Sequence, residues 1–372
     1  MRLTSRRDAA CYAGVWFVTR KIRMVLRRLT CLLATSLIIA ALLAACAGHT
    51  APSGLTTTAG ASESPAAALT WTKHAGGHPP TARHESALVA LDGKLYLLGG
   101  RGERPLEIFD PASGRWTRGA RPPLDQLHHA QALAYNGRIW VLGALTGDFP
   151  AEPAVPTLWI YDPTADAWQP GPPLPAGRAR GASGVALHAG RIYLVGGVTR
   201  GHTGGVVPWL DVFDPATERW TALPDAPHAR DHFHAAVLDG ALYAAGGRVS
   251  AHGSGASGMQ SVAAVDMFDI ASGRWSTLPS PLPTPRSGTA TVAWNDRLVV
   301  IGGESDAHTI AHAQVEAWNP ATQRWEALPP LPVGRHGMQA AVLDGALHVV
   351  AGSGNRGGGP ELDDHYRLVA RP

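Results

Sequence analysis

The chain has 372 residues, 45% of them hydrophobic and 16% charged, with a formal net charge of +3. Eight of its 32 basic residues but only one of its 29 acidic ones, Asp8, fall in residues 1–46, so the remainder carries 24 basic against 28 acidic residues and no basic stripe suited to nucleic acid. The three Cys stand at 11, 31 and 46, which excludes disulfide and thiolate chemistry from everything that follows and leaves the fold to packing alone.

The N-terminus reads as an export signal. Arg27 and Arg28 precede an apolar run from Leu29 to Leu42 that is too short for an ordinary membrane span, and small residues close it. The sequence Leu43-Ala44-Ala45-Cys46 resembles a bacterial lipobox, in which the Cys is acylated and becomes the first mature residue. Residues 1–45 are then the signal, with Met24 an alternative start. The resemblance implies anchoring to the cell envelope through Cys46. Ala47 and Gly48 after it imply the outer membrane where the organism has one. Residues 46–68 continue as a linker rich in Ala, Ser, Thr, Gly and Pro that cannot bury enough apolar surface to fold.

Residues 69–372 repeat. Trp residues at 71, 116, 168, 220, 275 and 325 are separated by 45 to 55 residues, a period that signals a radial array. Each repeat offers two hairpins. The first turns at Asp92-Gly93, Asn136-Gly137, Ala189-Gly190, Asp239-Gly240, Asn295-Asp296 or Asp344-Gly345, mostly dipeptides that favour a type I′ turn. It ends at a Gly pair (Gly99-Gly100, Gly196-Gly197, Gly246-Gly247, Gly302-Gly303) or the weaker Gly143-Ala144 and Ala351-Gly352. The second hairpin carries an aromatic (Phe109, Tyr161, Phe213, Phe268, Trp318) seven residues before a Trp, around turns such as Asp214-Pro215-Ala216-Thr217. The last repeat lacks an outer strand, and Trp71 lacks a blade. Both are explained if Leu69-Thr70-Trp71-Thr72 completes the last blade and removes the open edge.

The Gly pair, the aromatic, the Asp-Pro-x-Thr turn and the Trp resemble the Kelch repeat. The resemblance covers every blade and implies an all-β, six-bladed propeller with four antiparallel strands per blade, monomeric, with function on its loops. The variable face carries the loops after the Gly pairs and the connections into each inner strand. Sixteen residues before each Gly-pair position stand Arg83, Leu127, Arg180, Arg230, Arg286 and Arg335. Two residues before each third-strand aromatic or its equivalent stand Glu107, Trp159, Asp211, Asp266, Glu316 and Asp364. Blade two lacks both members, which points to buried Arg–carboxylate pairs. The other reading places Arg83, Arg180, Arg230, Arg286 and Arg335, with His84, His232 and His336, around the channel mouth as donors to an acidic ligand, and Leu127 and Trp159 as its apolar side.

The function expected is an envelope-anchored binding module that recognises a glycan or protein ligand, without catalytic residues, cofactor or metal. His232 and His234, two apart on an expected strand, would point the same way, with Asp231 to the other side, but no third metal ligand is identifiable. The alternative is a carbohydrate enzyme resembling the sialic acid mutarotases, with Glu304, Asp306 or His232 carrying protons. Copper radical oxidases of the galactose oxidase type need a Tyr–Cys cross-link that this globule cannot form.

Overall fold

The computed structural model describes residues 69–253 and 259–370. The signal, Cys46 and the linker lie outside the described residues. Six four-stranded antiparallel sheets form the blades of a propeller, five of them with their strands in chain order from inside to outside. Five come from residues 86–118, 131–173, 184–223, 235–277 and 290–328 in turn. The sixth takes three strands from residues 340–370 and its outer strand, Leu69–Lys73, from the N-terminal end, paired with His365–Ala370. Among the described residues the only other sheet is a ribbon of Arg248–Ser250 with Met259–Ser261, and the only helical piece is one 3₁₀ turn, Gly201–Thr203.

The repeated letters have direct geometric causes. At Asp92-Gly93 both central residues have positive φ, 48° and 72°, as a type I′ turn demands. Phe213 and Trp220 stand directly opposite each other across the second hairpin of blade three, with ring centroids 4.9 Å apart. The seven-residue spacing is therefore one cross-strand aromatic pair. The Trp also joins neighbouring blades. Its indole N–H donates to a carbonyl at or just past the end of the preceding blade's outer strand: Trp168 to Ala120, Trp220 to Pro173, Trp275 to Pro224 and Trp325 to Ser280, at 2.7–3.2 Å. Trp71 makes the same bond to Pro329 at 2.8 Å, so it fills the Trp position of blade six.

The core lies between blades. One cluster joins Tyr193 and Leu210 of blade three to Phe233, Leu242 and Phe268 of blade four, and another joins blades five and six beneath Leu69 and Trp71. A Gly pair marks each close approach of backbones. Gly302 and Gly303 have φ of 59° and 117°, Gly303 N–H donates to Arg335 C=O at 2.7 Å, and a Cβ on Gly302 would lie 2.3 Å from that same oxygen.

Blade six also holds a buried His pair. His348 Nδ1 and His365 Nε2 are 2.8 Å apart, and the His365 ring sits edge-on to Phe109. Burial pushes His348 down to about 4 and His365 down to about 3. With folded values below the ordinary 6.5, their stabilising contribution is complete above about pH 6.5 and is lost as pH falls through that value toward about 4. At pH 5 the pair is expected to cost on the order of 4 kcal/mol of stability. Thermal melts at pH 7.5 and 5.0 measure this loss within a larger one to which the buried His128, His129, His232 and His234, shifted down likewise, also contribute, and the double variant H348Q/H365Q should lessen the dependence; an unchanged slope would exclude the pair as a source.

Candidate binding cavity at the channel mouth

The channel narrows at a ring of left-handed backbone. The residue two positions after each Arg, or after Leu127 in blade two, has φ between 51° and 65°: Glu85, His129, Ala182, His232, Gly288 and Gly337. From His129 round to Gly337, five of these N–H groups donate to the carbonyl of the counterpart in the preceding blade, at 3.0, 3.1, 2.9, 2.7 and 2.9 Å, and Ser86 N–H, in place of Glu85, closes the circle onto Gly337. Four of the six are not glycine, although a left-handed conformation costs an L residue roughly 1–2 kcal/mol. Such strain collects at functional positions. Glu85, His129 and His232 line a small cavity of about 20 Å³ inside this neck.

This geometry corrects one expectation. His232 is not on a strand with His234, since the inner strand begins at Ala235 and His232 has φ 54°. Strand alternation therefore does not apply, and Asp231 turns towards His232 instead of away: its Oδ1 meets His232 Nδ1 in a short hydrogen bond.

The five Arg lie inside the blades. Each is at most 1% exposed. Arg180 reaches Asp211 at 2.8 Å, Arg230 Asp266 at 2.7 Å, Arg286 Glu316 at 2.5 Å and Arg335 Asp364 at 2.5 Å, and Arg83 pairs closely with Glu107. Each also donates to the first carbonyl of the Gly pair or its equivalent, Gly99, Gly196, Gly246, Gly302 or Ala351, so one guanidinium ties two elements of its blade. Burial pushes Arg83 and Arg180 down to about 10 against the pull of Glu107 and Asp211, which leaves both charged at neutral pH. Blade two's Leu127 is buried and Trp159 packs against the same core cluster, so these two fill the blade and do not line the mouth.

Above the neck opens a cavity of about 730 Å³. Of the residues singled out from sequence, His84, His336, Glu304 and Asp306 line it. Arg101, Arg248, Arg356, His202 and the half-exposed Phe149 complete its character. Arg248 reaches Glu304 at 2.7 Å, and Gly357 N–H donates to the other Glu304 oxygen at 2.9 Å. Burial raises Glu304, but His336 and Arg248 outweigh it and hold the carboxyl below its ordinary range. Arg101 and His202 share the buried Glu152, at 2.6 and 2.9 Å. Phe149 packs edge-on between His202 and His252 at the rim. The residue following a Gly pair supplies Arg101, Arg248 and Glu304; that position was the available sequence signal for the wall of the site.

At the neck the rings of His129, His202 and His232 face one another, with centroids 4.7–5.3 Å apart. Burial, above all, holds His129 and His232 well below the usual imidazole range. One ring nitrogen from each of the three lies within 4.8 Å of the others, so small ring rotations would bring all three onto one metal ion.

Repeat letters, six four-stranded antiparallel sheets and a loop-lined mouth together define a Kelch-type propeller. The family profile described as Attractin/LZTR1 beta-propeller matches residues 66–309, well over half of the sequence, and the chain belongs to that family. It is similar to Kelch-like protein terF of Aspergillus terreus, 29% identical over 297 residues that make up 74% of this chain and 61% of that protein. It is also similar to human Kelch-like protein 23, 26% identical over 69% of this chain and 43% of that one. The chain thus spans less than two thirds of the length of these curated relatives. The solved structure of YjhT matches with a TM-score of 0.64 at 17% identity, covering 77% of this chain and 95% of that one, a likeness of fold alone.

Proposed function

We propose that the chain is a Kelch-type binding module, tethered to the cell envelope through acylated Cys46, that takes a carboxylate-bearing ligand into the mouth cavity. Arg356 carries the reading. Its side chain is 40% exposed at the cavity wall; Nη1 donates to the Asp306 C=O at 3.2 Å and reaches the Asp306 carboxylate, itself 39% exposed, at 3.4 Å, which leaves Nε and Nη2 to meet a ligand. Arg101 stands in the same wall, 21% exposed. Guanidinium forks suit carboxylates, which accept paired hydrogen bonds. Phe149 offers an apolar face beside them. A sugar acid and an acidic side chain on a partner's loop share this chemistry.

The test uses protein recovered from the membrane fraction in detergent, whose intact mass is expected to begin at diacylated Cys46. Titration with sialic and uronic acids in one arm and with acidic peptides in the other should show binding that weakens with added salt. Arg356→Ala should weaken it by about 10-fold, the usual worth of a charged hydrogen bond. Binding of neutral sugars alone, or an Arg356→Ala protein that binds unchanged, would overturn the reading.

A further inference from the structure

We propose that His129, His202 and His232 form a binding site for a divalent transition-metal ion of the zinc type, at the boundary between the channel neck and the mouth cavity. The three donors come from different blades, and each is aimed by its own partner.

The partners fix which ring nitrogen carries the proton. Glu152 accepts from His202 Nδ1–H, at 3.0 Å, and so leaves His202 Nε2 as a lone pair. Asp231 does the same for His232, and is itself held by Ser250, whose Oγ and backbone N–H donate to it at 2.7 and 3.0 Å. For His129 the relay is longer. Gly147 C=O accepts from His128 Nε2–H at 3.0 Å, so His128 Nδ1 is an acceptor. It takes the Nδ1–H of His129 at 2.6 Å, which leaves His129 Nε2 as a lone pair too. That nitrogen is buried without a hydrogen-bond partner.

Three Nε2 lone pairs are therefore left without a donor among the described residues, on rings whose nitrogens gather within 4.8 Å. His202 Nε2 and His232 Nε2 are 3.1 Å apart, a repulsive arrangement for two acceptors unless a cation lies between them. Tetrahedral zinc with bonds of about 2.0–2.1 Å holds its nitrogens about 3.3 Å apart. Carboxylates behind metal-binding imidazoles, as Glu152 and Asp231 stand here, are the usual second layer of such sites. Glu85 lines both cavities, and its Oε2 lies 3.4 Å from His129 Nε2, so a carboxylate or a solvent molecule from the mouth is at hand for the fourth position. Imidazole donors select zinc, copper or nickel over magnesium and calcium.

The full chain without a polyhistidine tag, solubilised in detergent, stripped with chelator and dialysed against zinc, should retain one equivalent by metal analysis. Cobalt in its place should give the intense visible absorption of a four-coordinate site. His202→Ala, at a partly exposed position that tolerates truncation, should lose more than about 100-fold in zinc affinity. Glu152→Gln, a positioning change, should lose about 10-fold. His308→Ala, on the exposed surface, should bind as the parent does. Failure of the parent chain to hold zinc at micromolar free metal would overturn the site, with a shared proton then joining His202 and His232. So would zinc binding that survives unchanged in His129→Ala and His202→Ala, or a weak cobalt spectrum of oxygen ligation.

Discussion

Deleting residues 69–74 within the full chain is expected to open the ring and remove most of the stability of the propeller. The strand Leu69–Lys73 pairs along its whole length with His365–Ala370. His74 N–H adds a bond to His365 C=O at 2.8 Å. Trp71 ties blade six to Pro329 of blade five and covers their shared core together with Leu69. Without this strand, blade six ends on an unpaired edge that can template pairing with other chains. Truncating a buried Trp alone costs about 3–5 kcal/mol, and Trp71 is partly buried, so Trp71→Ala should fall near the lower value. The deletion adds the loss of five paired residues, and a domain's whole stability is only about 5–15 kcal/mol. Calorimetry and sedimentation would measure the loss and the resulting association. A deleted chain that melts as a monomer at the parent temperature would show that the ring does not depend on this closure.

That closure was legible because a local rule with a fixed spacing had one unused member. Trp71 had no blade, and the last blade had no Trp. The Arg–carboxylate pairs were legible for a similar reason, since blade two changes both positions together, to Leu127 and Trp159. What stayed hidden depends on contacts between blades. The role of each Trp as a donor to its neighbour's carbonyl follows from how blades abut, which no single repeat encodes. The neck is harder still. Its six equivalent positions hold Glu85, His129, Ala182, His232, Gly288 and Gly337, so the backbone conformation repeats while the letters do not. Because φ is positive there, the alternation that pairs His232 with His234 does not apply. The His cluster then draws on two neck positions and on His202, in a 3₁₀ turn within the loop after the third Gly pair. Nothing in a repeat of 45 to 55 residues points to that combination.

Arg286→Leu is expected to lose about 3–5 kcal/mol, the cost of breaking a buried ion pair from one side. The guanidinium of Arg286 is fully buried and donates to the carbonyls of Thr284, Val300 and Gly302 as well as to Glu316. Its removal leaves Glu316 without its counter-charge, with Thr284 Oγ1–H as a remaining donor, and orphans carbonyl oxygens at the neck end of blade five. The chain contains its own precedent for removing both partners, because blade two folds with Leu127 and Trp159 at the equivalent positions and packs both into its core. Arg286→Leu combined with Glu316→Leu should therefore be more stable than Arg286→Leu alone, since burying an unpaired carboxylate costs more than burying none. Urea denaturation of the parent, both single variants and the double variant yields the coupling directly. An Arg286→Leu protein that denatures with the parent, while losing affinity for an acidic ligand, would return the Arg ring to ligand binding and remove it from the framework of the blades.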